Sequence, residues 1–104
     1  MAESPVLRGA IERLRAGDSF GAETVAADAV RAAERRFGAT SPAYAAAQFD
    51  LAHVLGAIGD FTRAADALRA ACGVVPTDAE SQKARLTYLM NLGDFLIRTN
   101  RHSR

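Results

Sequence analysis

His53 follows Asp50 by one helical turn, and with Asp94 the trio has the residue types of a metal site or of a general base with its orienting carboxylate. The sequence weighs against both. The only other histidine, His102, lies in the C-terminal tail, and an i, i+3 pair of this kind is ordinary on a helix surface. Cys72 is the single cysteine, so an internal disulfide is excluded and a reducing compartment is expected. It ends an apolar helical stretch with no base beside it, which predicts a buried, inert thiol. Glycine-rich phosphate loops, paired cysteines, His-Glu-x-x-His and Gly-x-Ser-x-Gly are all missing. The expectation is a chain without catalytic residues, metal or cofactor.

Three short arcs, one on each of the first, third and fifth helical stretches, correspond to one another. Arg8, Glu12 and Arg15 form one, Ala46, Phe49, Asp50, His53 and Ala57 a second, and Thr87, Asn91, Asp94 and Arg98 a third. Each recurs at helical spacing, so five helices must carry and align them. Ser4-Pro5 opens the first, since serine caps free N–H groups and proline needs no donor at the first helical position; it runs over 5–16. Gly17-Asp18 stops it and starts a second, 19–36. Gly38 and Thr40-Ser41-Pro42 repeat the punctuation before a third, 42–58, with Tyr44, Ala47, Leu51, Val54, Leu55 and Ile58 on one face. Gly59-Asp60 leads into a fourth, 61–72, ended by Gly73. Thr77 to Glu80 has the form of a capping box before a fifth helix, 78–99. No strand alternation occurs, so the fold class is all-α.

The punctuation is also periodic. Gly17-Asp18 with Ala22, Ala29 and Val30 returns 42 residues later as Gly59-Asp60 with Ala64, Ala71 and Cys72. Ala10, Leu51 and Leu92, and likewise Leu14, Leu55 and Leu96, recur at a spacing of 41. Small residues at a period near forty mark stacked helical hairpins. The stretches Gly38-Ala39-Thr40-Ser41-Pro42-Ala43-Tyr44-Ala45, Phe49-Asp50-Leu51-Ala52, Met90-Asn91-Leu92-Gly93 and Gly59-Asp60-Phe61-Thr62-Arg63-Ala64 resemble the tetratricopeptide repeat, in the long-period variety of kinesin light chains and bacterial regulators. The resemblance spans nearly the whole chain, about two and a half repeats. It implies a right-handed superhelical stack of antiparallel hairpins. Asp50 stands where that family usually has asparagine. Ala22, Ala52, Ala64 and Gly93 stand where facing helices must pack closely.

What the resemblance implies is a non-enzymatic scaffold whose three arcs line a concave groove for a peptide or protein segment. The groove residues would be Phe49, Asp50, His53, Thr87, Met90, Asn91 and Asp94, with Asn91 holding peptide backbone and Phe49 and Met90 supplying apolar pockets. Asp50, Asp94 and Glu12 would tilt it acidic, suiting a basic or neutral segment.

The fifth helix carries apolar residues over an arc of roughly 220°, where a surface helix needs about 100°. Leu89, Phe95, Leu96 and Ile97 would form a seam left bare because the sixth helix of the pattern is missing, with residues 100–104 standing where a turn into it would be. Three readings follow: self-association as a homodimer through helix 78–99, a fragment of a larger regulator, or a frayed, capping last helix of the kind with which repeat arrays end. Hydrophobic residues make up 49% and charged residues 24%, with net charge +1 and no cationic run longer than Arg35-Arg36, which disfavours nucleic acid. No segment approaches the ~20 apolar residues of a membrane span, and no leader is recognised, so a cytoplasmic protein is expected. Only Lys83 of the 13 cations is lysine, the coding bias of a GC-rich bacterial genome.

Overall fold

The computed structural model describes residues 4–102, with side chains through Asn100, and is all-helical over them. The helices are α1 (Pro5–Arg15), α2 (Ser19–Phe37), α3 (Pro42–Ile58), α4 (Phe61–Cys72) and α5 (Ala79–His102). The first four begin on the caps the sequence indicates: Ser4, Asp18, Ser41 and Asp60 each accept a hydrogen bond from the backbone N–H three residues on. Gly17 at φ 82° and Gly59 at φ 96° take the left-handed turn that closes each hairpin, a conformation that costs glycine nothing.

Two boundaries differ from the sequence expectation. The capping box at Thr77 does not form; Asp78 takes the cap instead, its Oδ1 accepting from the Ser81 N–H at 2.7 Å. The two hydrogen bonds from Ser81 hold the Asp78 carboxyl below its usual range. At the other end α5 runs on to His102, through the residues expected to turn. Asn100 stands where Gly59 stands one repeat earlier, and without a glycine the helix keeps its own hydrogen bonds. The last two residues of that expected turn lie outside the described residues.

Each helix packs mainly on its neighbours in the chain, with smaller contacts of α1 with α3 and of α3 with α5. The core is built on alanine. Ala10, Ala22, Ala26 and Val54, flanked by Leu7, Leu14 and Leu51, fill the space between the hairpins. Ala45, Ala52, Leu55, Ala64, Ala65, Ala67, Leu68, Ala71, Cys72, Val74, Tyr88 and Phe95 fill the second cluster. Alanine allows close approach but removes little surface from water. Leu55, Leu68, Tyr88 and Phe95 therefore carry most of the hydrophobic stabilisation, at about 1.5–3 kcal/mol for each aliphatic or phenyl side chain. Cys72 is buried and its thiol is pushed up by that burial.

Two placements overturn the expected roles of single residues. Phe95, counted with the bare seam, is 7% exposed and packs inward, stacked on Phe61 at 6.1 Å. Its ring also lies over Gly56, where an added Cβ would sit 2.6 Å from Phe95 Cε1 and Cζ. Gly93, expected at a close helix crossing, has nothing within 4 Å of where its Cβ would be. The close-approach glycine is Gly56, not Gly93. Both glycines lie mid-helix, where alanine is favoured by about 1 kcal/mol. Gly93→Ala should therefore stabilise dilute protein by roughly that amount. At Gly56 the clash with a buried ring costs about 1–3 kcal/mol and outweighs propensity. Gly56→Ala should lower the urea midpoint while Gly93→Ala raises it.

Candidate functional site

The odd-numbered helices share one side of the molecule. α3 touches both α1 and α5, and two polar or aromatic contacts fix these crossings. At the first, the Ser4 hydroxyl accepts from the Leu7 N–H at 3.0 Å and donates to Asp50 Oδ2 at 2.7 Å. One serine thus caps α1 and ties it to the middle of α3. At the second, the Phe49 ring lies 5.0 Å from Tyr88 of α5, tilted by 41°, and meets His53 edge-on at 4.5 Å. Aromatic pairs at such spacings add about 0.5–1.5 kcal/mol beyond burial.

Two depressions flank this aromatic bridge. One is an open groove between the start of α3 and the first half of α5, lined by Pro42, Ala46, Asp78, Glu80, Ser81, Lys83, Ala84, Thr87 and Tyr88. The other is an apolar crevice between α1 and α3, lined by Leu7, Ile11, Leu14, His53, Val54 and Ala57.

Against this geometry the expected groove residues divide. Thr87 lines the groove and His53, exposed, lines the crevice, while Phe49 lines neither and reaches them only through its ring contacts with Tyr88 and His53. Asp50 is half-buried and engaged by Ser4. Asn91 is half-buried, and its amide nitrogen donates to the Thr87 carbonyl of its own helix at 2.9 Å. Asp94 is exposed and paired with Arg98 at 3.3 Å. Met90, 76% exposed, shares the outward face of α5 with Leu86, Gly93 and Ile97 by helical spacing. It lines neither depression.

The sequence missed Tyr88, Pro42, Glu80 and Lys83 as groove residues. The groove mouth forms where the segment from Gly73 to Asp78 brings α5 alongside α3, and helical periodicity does not report where a linker leads. Tyr88 was legible only as a core aromatic, and it is buried, with burial foremost raising its hydroxyl. Among the described residues no group of three or more His, Cys, Asp or Glu side chains comes together, so Asp50, His53 and Asp94 do not gather around one point. No helix among them is long and apolar enough to cross a membrane. No family model, curated protein or solved structure matches the chain.

Asp50 gives a pH signature. Burial raises its pKa more than the Ser4 hydrogen bond and nearby His53 lower it. A carboxyl raised in the folded state favours folding while protonated, and that contribution is lost as pH climbs from the unfolded value through the folded one. Asparagine keeps an acceptor for Ser4 and removes the charge. Asp50→Asn should melt above the parent protein at pH 7, with the gap closing toward pH 3. An unchanged gap across that range would refute burial as the dominant influence.

Proposed function

We propose that this chain is a non-enzymatic protein-interaction scaffold of tetratricopeptide-like hairpins, which takes an extended segment of a partner protein across the α1–α3–α5 side. The observation that carries this reading is the Phe49–Tyr88 bridge with a depression on each side of it. A half-buried aromatic platform supplies apolar contact area at low entropy cost, and hydrogen-bonding groups at its margin fix register. His53 and Thr87 stand at that margin, with Asn91 one turn beyond.

Charge selects the segment weakly. Asp94 is answered by Arg98, and Asp50 is engaged by Ser4, so two of the three carboxylates expected to make the groove acidic are already partnered. Glu80 and Lys83 line the groove with opposite signs. A neutral or mildly basic peptide with one apolar side chain for the α1–α3 crevice fits best.

The test is selection of linear peptides from a random display library against the whole chain. Selected peptides should lose about tenfold or more in affinity, roughly 1.4 kcal/mol, on His53→Ala and on Thr87→Ala, with the melting temperature of Thr87→Ala close to that of the parent and His53→Ala losing only its edge contact with Phe49, about 0.5–1.5 kcal/mol of stability. His53 is exposed apart from that edge contact, so each folded variant can be compared with the parent at a temperature well below its melting point. Peptides indifferent to both substitutions would refute this groove as the binding site.

A further inference from the structure

Among the described residues nothing covers the outward face of α5, although the repeat shows what such a face receives. Shifting by 41 residues places Leu86, Gly93 and Leu96 on Ala45, Ala52 and Leu55 of α3. Those three are 4%, 1% and 2% exposed, in the cluster that α4 completes from the antiparallel direction. On α5 the same face is open: Leu86 is 62% exposed, Leu89 42%, Met90 76%, Leu96 38% and Ile97 55%. It is a helix-receiving surface.

We propose that a second copy of this chain covers it, the two α5 helices packing antiparallel about a twofold axis level with residues 91 and 92. The pattern is symmetric about that point. Leu86 and Ile97 lie equally far from it on opposite sides, as do Met90 and Gly93, so each meets the other across the axis. Met90 of one copy fills the space over Gly93 of the other, the glycine whose Cβ position has no neighbour in the single chain. Leu89 and Leu96 then meet along one margin. A parallel pair fails on the same residues, since it sets Gly93 against Gly93 across a void.

Area sets the strength. The five exposed side chains amount to on the order of 500 Å² per copy, a large patch for a lone domain, and a pair would bury about 1,000 Å². That lies below the roughly 1,200–2,000 Å² of stable specific interfaces and in the range of transient ones, so a weak, reversible dimer with an affinity of about micromolar or weaker is expected. The pairing is independent of the groove reading, because neither Leu86 nor Ile97 lines either depression.

Sedimentation velocity from about 1 µM to 1 mM tests it, with affinities in the micromolar range resolvable over that span. The parent chain should shift from monomer to dimer across the series. Leu86→Lys alone and Ile97→Glu alone should each weaken pairing by tenfold or more. One chain carrying both changes should dimerise again, because the antiparallel register sets the new lysine against the partner's new glutamate. A parent chain monomeric throughout, as expected if a different protein's helix fills the face, would overturn the proposal. So would single variants that dimerise normally, or a double variant that stays monomeric.

Discussion

Close approach between helices through alanine is the constraint on which the rest of this structure depends. Ala10, Ala22, Ala26, Ala52, Ala64, Ala65 and Ala71 are at most 2% exposed, and they lie where consecutive helices cross. A side chain of one carbon lets two backbones come near enough for van der Waals contact along the crossing, at the lower end of the usual spacing between helix axes. It also leaves little room to slide. The few large residues, Leu55, Leu68 and Val54 among the most enclosed, then act as fixed points around which the small ones are arranged.

That spacing is what brings α1, α3 and α5 to one side. Because α2 and α4 sit tightly in their hairpins, the odd helices come near enough for direct contacts such as Ser4 with Asp50 and Phe49 with Tyr88. Both contacts join residues far apart in sequence. Each also constrains a group that would otherwise be free at the surface: Asp50 gives up solvent for one hydrogen bond, and Phe49 gives up rotamer freedom for two ring neighbours. The candidate groove is therefore a product of helix spacing more than of local sequence.

The same constraint explains the two-sided character of α5. Its inner side repeats the packing of α3, with Tyr88 and Phe95 turned into the second cluster and Arg85 Nε donating to the Cys72 carbonyl at 3.0 Å. Its outer side repeats the α3 face that accepts α4, with larger and more apolar residues and, among the described residues, no helix over it. On a helix anchored this firmly from within, an outer apolar row is held in fixed register, which makes it a template and not a loose greasy patch.

The amino-acid sequence alone determined the all-helical class, and it placed most of the helix ends to within a residue. Those ends rest on local chemistry: a serine or aspartate accepting from an N–H three residues on, a proline in the first turn, a glycine with positive φ. Of the periodic small residues Ala10, Ala22, Ala52, Ala64 and Ala71 are buried, whereas Ala29 is half-buried and Gly93 exposed. Only the tertiary structure decided that Phe95 points inward onto Gly56, that Asp50 serves Ser4, that Asp78 and not Thr77 caps α5, and that Met90 and Gly93 face outward together. Helical periodicity fixes which residues share a side of one helix; which side meets which neighbour depends on the direction of the linker between Gly73 and Asp78 and on contacts between residues some forty positions apart. Those are properties of the packed chain, and no local pattern encodes them.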